Sequence, residues 1–475
     1  MQKQTLVMKF GGTSVGSPDA LARAAQIIKD ARAEYARVVV VTSAMSGVTD
    51  LLLDSATLAA QGKLDSLPST ESTLRERHFA AAEALIKNEK LLEQTKQEIN
   101  SLILSLVDLC RAIAVLGEAS PRALDAVASL GERMSIRLLS AVVESVGINA
   151  RAIESTEFIV TNDHYQNAHP DFKSTTEKTR KLLNPILDDG IIPITTGFIG
   201  ATPEGVTTTL GRGGSDYSAA IIGAVLPANE VWIWTDVDGI MTTDPRIVKD
   251  ARTLPELTYN EVAELAYYGA KVLHPKTIRP VVEAGIGLRI CNTFNPSHPG
   301  TRLIANPSSN GKPKNGDQII RAVTAIRKQR LVTIEGRGML GVPGVAARAF
   351  AAVASTGTSV PLITQASSEQ SICFAVPDES AAPVLSALQK VFVGEIEDED
   401  IDRVWMTEDV SIITVVGVGM RHTPGVAGRV FSQLGKNNAN VLAIAQGSSE
   451  VSISMVVDAA DTELAVKSLH ELIVN

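Results

Sequence analysis

Three glycine-bearing stretches of this sequence carry charged and hydroxyl side chains that packing alone does not call for. The first, Lys9-Phe10-Gly11-Gly12-Thr13-Ser14-Val15-Gly16, closes an apolar β-type run and leads into Ser17-Pro18-Asp19, a helix-start signal with Pro in its favoured place. Paired glycines let backbone N–H groups approach a phosphate, a helix start favours negative charge, and Lys9 adds a full positive charge. The pattern G-x-x-x-x-G-K-[ST] is absent, so this stretch alone favours a solvent-facing Lys before an ordinary βα turn. The second, Thr207 to Asp216 (TTTLGRGGSD), reads as one polar loop before an alanine-rich helix start. In it Arg212 can grip a carboxylate or phosphate through two parallel hydrogen bonds, and Asp216 can orient lysines by charge. A structural Arg–Asp pair in a glycine turn is the plainer alternative. The third, Thr235 to Arg246 (TDVDGIMTTDPR), has acidic residues but neither the spacing nor the distal Glu of a calcium-binding EF-hand loop, and reads as a nucleotide contact.

The chain that must position these residues has 475 residues, 45% hydrophobic and 20% charged, which is too long for one core, so roughly two to four domains are expected. A net charge of -9 leaves no basic stripe for nucleic acid or anionic lipid, although a local positive pocket can still hold phosphates. Cys110, Cys291 and Cys373 lie far apart with no C-x-x-C, which argues against a disulfide framework or a zinc site. No apolar run approaches the ~18 residues of a membrane span, and MQKQTLVMKF lacks a signal-peptide apolar region. A soluble, unprocessed, cytoplasmic protein is expected. His164 and His169 have no Cys or third His nearby, so they read as surface residues, and no protein metal ligand is assigned. His274 beside Pro275 reads as a packed structural residue, and Gly417 and Gly419 lack the third glycine of a dinucleotide fingerprint.

Short apolar runs at Thr5 to Phe10, Arg37 to Val41, Ile191 to Thr195, Glu230 to Trp234 and Gly287 to Ile290 alternate with helical stretches, the rhythm of βαβ units and a mostly parallel sheet. Between Pro68 and Gly117 there is neither Gly nor Pro, and Leu91, Leu92, Ile99, Leu102, Ile103 and Leu106 recur at helical spacing, marking a helical excursion. Asn306 to Asp317 (NPSSNGKPKNGD) has linker composition, and the main boundary is placed there. Beyond it the sequence repeats. Gly338-Met339, Pro343-Gly344-Val345-Ala346, Gln365 and Ser371-Ile372 return as Gly419-Met420, Pro424-Gly425-Val426-Ala427, Gln446 and Ser452-Ile453, at a constant offset of 81 residues counted from Gly338 to Gly419. Such a period is too long for a solenoid, so two copies of one small α+β domain are expected. The acidic run Gly394 to Asp402 reads as a solvated loop between them.

Taken together, these segments resemble the aspartate kinases of the amino acid kinase family. The resemblance runs through Lys9 to Val15, Ser43 to Thr49, Gly131-Glu132-Arg133, Thr196-Gly197-Phe198, Gly211 to Asp216, Thr235 to Arg246 and Gly269-Ala270-Lys271-Val272-Leu273-His274-Pro275. The repeats resemble tandem ACT domains, small-molecule sensors in which one copy can be interrupted by the other. The resemblance implies a three-layer α/β/α kinase domain with a mainly parallel central sheet over 1–305, a linker at 306–317, and two α+β, βαββαβ ferredoxin-like ACT domains at 318–393 and 394–475, with part of 318–330 open to the second. It implies transfer of the γ-phosphoryl of ATP to the β-carboxylate of L-aspartate, with Mg2+ carried mainly by phosphate and water. Lys9 and Lys271 would flank the transferring group and Asp216 would hold the lysines; Arg212 would clamp the substrate α-carboxylate and Glu132 its ammonium, with Thr49 and Ser215 supplying neutral hydrogen bonds. The nucleophile is already ionised near neutral pH, so no general base is needed.

Nucleotide contact is implied for Lys9, Gly11, Gly12, Thr235, Asp236, Arg246 and Lys271, and for Met241, where many members carry Tyr and stacking is therefore in doubt. Effector contact is implied for Gln365 and Gln446 near the two Pro-Gly turns, with threonine favoured over lysine, in a homodimer or homotetramer joined through the ACT domains. The implied setting is amino-acid biosynthesis. Two rivals stand beside this reading: another carboxylate- or carbamate-directed kinase of the same superfamily, and a non-catalytic amino-acid sensor on the same fold.

Overall fold

The structure is a computed structural model that describes all residues except 1–3, 269–272, 274, 305–318, 340–341, 367–369, 421–422, 447–450 and 475. The expected linker, Lys271 and His274 thus lie outside the described residues. The chain divides into two compact units, Met1–Ile240 with Pro255–Tyr259 and Val272–Asn306, and Met241–Leu254 with Asn260–Lys271 and Pro307–Asn475. Two segments before residue 305, 241–254 and 260–271, therefore cluster with the C-terminal part of the chain.

In the first unit, β-branched and apolar runs form β1 (Thr5–Phe10), β2 (Arg37–Thr42), β3 (Ala150–Ile153), β4 (Ile192–Thr196), the short hairpin β5 (Ile199–Ala201) and β6 (Thr207–Thr209), β7 (Glu230–Thr235), β8 (Glu256–Thr258), β9 (Gly287–Asn292) and β10 (Thr301–Ile304). The main sheet has the order β3-β4-β2-β1-β7-β9-β10-β8, parallel from β3 through β9, with β10 antiparallel to β9. The central strands β1 and β2 are buried along almost their whole length, as expected for a parallel sheet covered on both faces.

One helical layer holds α1 (Pro18–Glu34), α2 (Val48–Ala60), α3 (Leu67–Leu85), α4 (Glu89–Leu116) and α5 (Pro121–Ser145); the other holds α6 (Phe172–Asp188), α7 (Gly214–Val225) and α9 (Pro275–Glu283), with α8 (Tyr259–Tyr267) between α7 and α9 in sequence. The start of α1 is fixed as expected, Ser17 Oγ accepting from the Ala20 N–H at 3.2 Å, a cap worth about 1 kcal/mol. The excursion is helical, as its spacing indicates. Among the described residues, α4 is the one helix long and apolar enough to cross a bilayer, and its stripe of Ile99, Ile103, Leu106, Cys110 and Ile113 is packed into the core. Alternation along β1 sends Leu6, Met8 and Phe10 into that same core, which leaves Lys9 on the opposite side of the strand.

The second unit is built on an antiparallel sheet of β12 (Leu362–Gln365), β13 (Ser371–Pro377), β11 (Ile320–Glu335), β15 (Val410–Gly417), β17 (Ser452–Asp458) and β16 (Ala443–Ala445) in that spatial order, with β14 (Arg403–Met406) also on β11. The helices are α10 (Val345–Ser355), α11 (Asp378–Val391), α12 (Val393–Glu397), α13 (Val426–Lys436) and α14 (Thr462–Val474). The repeated Pro-Gly turns have one physical role in both copies: Gly344 and Gly425 take φ of 90° and 85° as N-caps of α10 and α13. The strand β11 serves both repeats, pairing with β15 over Ile320 to Gln329 and with β13 and β14 over its second half. The expected acidic loop is in part the short helix α12.

Candidate active site

A cavity of about 580 Å³ opens at the carboxyl ends of β1, β2 and β4, where a parallel sheet leaves room for ligands. Lys9, Gly12, Thr49, Glu132, Arg212, Ser215 and Asp216, singled out from four separate parts of the sequence, all line it. Two helices start at its wall. Gly47 and Gly213, with φ of 76° and 72°, are the N-caps of α2 and α7, so Thr49 and the Ser215-Asp216 pair fall in first helical turns. Helix N-termini favour negative charge in the space they face. The Thr207 to Asp216 stretch is thus not the single loop expected: Thr207–Thr209 is strand β6, and Ser215 and Asp216 are already helical.

Lys9 Nζ lies 2.6 Å from Asp216 Oδ1, with the two side chains 11% and 14% exposed. A pair so nearly desolvated holds its geometry firmly, because separating the charges would strand each of them away from water. Glu132 is 3% exposed; its Oε1 accepts from the Ala44 N–H at 3.2 Å, while Oε2 has no partner among the described residues. Burial pushes the Glu132 carboxyl up to about 8, with the hydrogen bond from Ala44 opposing the shift. A buried carboxylate with one unused oxygen is a ready receptor for a cation.

The glycines do steric work. A Cβ on Gly12 would sit 2.9 Å from the Ala44 carbonyl oxygen, so only glycine lets the β1 turn approach the β2 turn. A Cβ on Gly197 would meet Ser215 Oγ at 2.6 Å. Gly11 donates to the Trp234 carbonyl at 3.1 Å, and Ser14 Oγ donates to the same oxygen at 3.3 Å while accepting from Thr293 Oγ1 at 2.7 Å, which pins the turn to β7 from beneath.

Asp125, which the sequence reading passed over, is 1% exposed on α5 and lines the same cavity. It accepts from the Gln166 N–H at 3.0 Å, the Thr209 N–H at 2.9 Å and Thr209 Oγ1 at 2.8 Å, and so ties the 164–167 turn and the end of β6 to one helix. Burial raises its pKa against these three hydrogen bonds. Asp125 stands seven residues before Glu132, two helical turns along the same face, a spacing that acquires meaning only once Glu132 is placed in the cavity. Gln166 and Phe198, also in the lining, adopt φ of 67° and 66°, left-handed conformations that non-glycine residues hold only when their surroundings enforce them.

Other expected residues lie elsewhere. Thr235 ends β7 and donates through Oγ1 to Asp236 Oδ1 at 3.2 Å. Met241 and Arg246 belong to the second unit, Met241 in an isolated bridge with Thr253 and Arg246 paired to Asp244 at 2.6 Å with its side chain 85% exposed. Gln365 and Gln446 share a separate cavity of about 460 Å³ in the second unit, and the two Pro-Gly turns are not in its lining. His164 and His169 are exposed, their rings edge-on at 6.2 Å.

A sheet of this order with an ammonium, four acidic side chains, a guanidinium and two helix N-termini around one cavity defines an α/β small-molecule site, and comparison with known proteins places it. The amino acid kinase family matches residues 4–292, and the ACT domain matches 332–392 and 413–472. The bifunctional aspartokinase/homoserine dehydrogenase 1 of Zea mays chloroplasts is 39% identical over 98% of this chain and 50% of its own length, so the chain spans about half of such relatives. The chloroplastic aspartokinase 1 of Arabidopsis thaliana is 34% identical over 98% of this chain and 80% of its own. Aspartokinase III of E. coli, solved in complex with aspartate and ADP, superposes with a TM-score of 0.79 at 32% identity, covering 99% of this chain and all of that one. The chain belongs to the amino acid kinase family, in its aspartokinase branch with paired ACT domains.

Replacing Asp125 by Ala strands the buried Thr209 N–H and hydroxyl and frees the part-buried Gln166 N–H, so a loss of about 2 to 3 kcal/mol is expected, read as a lowered urea midpoint. A midpoint unchanged from the parent protein would show that the clamp does not hold these turns.

Proposed function

We propose that this chain is an ATP-dependent aspartate kinase that forms 4-phospho-L-aspartate, with its ACT domains placing the reaction under control of a pathway amino acid, threonine in preference to lysine. The observation that carries the catalytic reading is the sharing of one cavity by the Lys9–Asp216 pair, the half-unpartnered Glu132 and Arg212. Opposite charges held apart on rigid elements select a zwitterion with a second carboxylate. Arg212 takes the α-carboxylate and Glu132 the ammonium, with Thr49 and Ser215 as neutral partners, which directs the β-carboxylate toward Lys9. Lys9, held by Asp216, neutralises charge that spreads over the phosphoryl oxygens in a loose transition state. Gly11 and Gly12 let the β1 turn approach the nucleotide phosphates, and Thr235 and Asp236 at the end of β7 contact the nucleotide. E. coli aspartokinase III was solved with aspartate and ADP, and the same substrate pair is proposed here.

No group of three potential metal-ligating side chains occurs among the described residues, and Asp216 is committed to Lys9, a donor set that suits magnesium carried by ATP phosphates and water. When bound, that ion supplies further charge neutralisation at the phosphates. In domain terms we assign catalysis to 1–305 and effector sensing to 318–393 and 394–475, joined by 306–317, the second sensor taking its first-half share of β11; assembly as a homodimer or homotetramer through the sensors completes the reading.

Mg-ATP consumption is expected only with L-aspartate, the acyl phosphate being trapped by hydroxylamine as a hydroxamate. Trapping with glutamate or N-acetylglutamate and none with aspartate would overturn the substrate assignment. Lys9→Ala should lower kcat by about 10² or more with a much smaller effect on aspartate affinity, because the charge matters most in the transition state. A kcat near that of the parent would remove Lys9 from catalysis.

The Glu132 carboxyl, raised to about 8 in the empty site, must be ionised to hold an ammonium. Below that pH a proton has to be released on binding, so KM for aspartate should fall as pH rises toward 8, by up to about tenfold per unit, and flatten above it. Glu132→Gln should raise KM and abolish this slope; a slope that persists in the variant would assign it to another group.

A further inference from the structure

Helix α5 holds both charged receptors of the cavity, one directly and one at a distance. Its apolar face, with Val127, Leu130, Met134 and Leu138, is packed into the main core, so the helix is a fixed reference. Glu132 is one of its own residues, whereas Arg212 belongs to a turn between the left-handed Gly211 and Gly213, with φ of 78° and 72°. Arg212 is exposed and has no hydrogen-bond or ion-pair partner among the described residues. A long side chain between two glycines, with nothing gripping its head, takes its direction from the backbone that carries it. That backbone is tied back to α5 through β6. Arg133 Nη2 donates to Thr207 Oγ1 at 3.1 Å at the start of the strand, and Asp125 accepts from the Thr209 N–H and hydroxyl at its end, three residues before Arg212. Asp125 also accepts from the Gln166 N–H, and the same turn bounds Gly211, where a Cβ would meet the Gln166 carbonyl oxygen at 3.1 Å.

We infer that Asp125 is a positioning residue for Arg212: by fastening the Thr209 backbone to the helix that carries Glu132, it sets the separation between the carboxylate receptor and the ammonium receptor, and with it the selection of an α-amino acid. The inference rests on the proposed roles of Arg212 and Glu132 and adds to them the residue that fixes their spacing. Asp125 is not itself poised to receive an ammonium. Its Oδ1 accepts from the Thr209 hydroxyl and its Oδ2 from the Thr209 and Gln166 N–H groups, whereas Glu132 Oε2 has no partner among the described residues. The far end of the turn is held independently, because Asp216, four residues after Arg212, is paired to Lys9. Loosening at Thr209 therefore displaces the guanidinium while the lysine stays in place, and a misplacement of about 1 Å can cost up to about 10²-fold. The α-carboxylate takes no part in the chemistry, so its contact is equally strong in ground and transition states, and losing it raises KM while kcat holds. The clamp needs acceptors more than charge. A carboxamide at this position could accept both N–H groups through its oxygen and donate to the Thr209 hydroxyl, which can itself accept.

Steady-state kinetics of the intact chain with L-aspartate and Mg-ATP, read by hydroxylamine trapping, test the role, with kcat/KM taken from the slope at low aspartate wherever saturation is not reached. Folded Asp125→Ala is expected to raise KM for aspartate by about tenfold or more with kcat within about threefold of the parent, and Asp125→Asn to stay within about twofold of the parent in both. Arg212→Ala should itself lower kcat/KM by about tenfold or more, and adding Asp125→Ala to it should cost less than about twofold further. Should Asp125→Ala fail to fold, Thr209→Val, which removes the hydroxyl alone, is expected to raise KM by about threefold while Thr209→Ser keeps the parent value. An unchanged KM in the folded variant, a fall in kcat alone, or an equal loss with and without Arg212→Ala would overturn the positioning role and leave the assignment of Arg212 standing. If Arg212→Ala leaves kcat/KM at the parent value, or the parent does not phosphorylate aspartate, the substrate reading fails and takes this inference with it.

Discussion

The ion pair between Lys9 and Asp216 ties a central strand to the helix facing it, and much of the first unit can be understood as the means of keeping that pair dry and in register. Two charges 2.6 Å apart with little solvent access are tolerable only if each stays where the other is. The strand supplying Lys9 is hydrogen-bonded on both sides by parallel neighbours, and the helix supplying Asp216 begins in a left-handed glycine. Alternation puts Leu6, Met8 and Phe10 into the core on one face, which forces Lys9 onto the other. The chemistry at that position is a consequence of period two in a buried strand, and a one-residue slip would place an ammonium in the hydrophobic core.

What the sequence discloses follows the range of the interactions involved. The turn at Gly11-Gly12, the cap at Ser17 and the strand pattern are local, and local rules identify them. Glu132 was found by resemblance and Arg212 first by its place in a glycine-rich stretch, and the fold explains why they suit one cavity: α5 and the turn before α7 both border the carboxyl end of the sheet. Asp125 was missed because its three partners lie 41 and 84 residues away, and an aspartate in a helical stretch announces nothing until those partners are placed beside it. The β6 strand was read as loop because three threonines gain their ladder only from the hairpin partner β5.

The second unit shows the same limit at a larger scale. The repeat revealed two copies of one domain and fixed the equivalence of Gln365 with Gln446, but equivalence in sequence says nothing about proximity. That the two meet depends on a sheet whose twist brings its outer strands together, a property of the whole set of strands. Nor does composition indicate that residues 241–254 pack with the C-terminal unit. Thr242 there is 5% exposed, shares a hydrogen bond of 2.8 Å with His470 Nε2, and accepts through its carbonyl from the Val323 N–H. Thr242 lies in the 235–246 stretch that reads as a nucleotide contact, and nothing in that pattern or around His470 points to the other.

The continuous strand β11 carries an irregularity between Ile326 and Gln329, where Lys328 takes a φ of 56°. Before it, odd-numbered Val323 and Ala325 face the core beneath α13 and α14; after it, even-numbered Val332 and Ile334 face the core beneath α10 and α11. The bulge is a parity switch that resets which side chains point inward as the chain passes from one repeat to the other. Length at this point is therefore under stricter control than chemistry. Position 328 is confined to residues that tolerate a positive φ, and losing or gaining one residue would turn an entire repeat inside out relative to its neighbour, so natural variation here should take the form of substitution among such residues and avoid insertion or deletion.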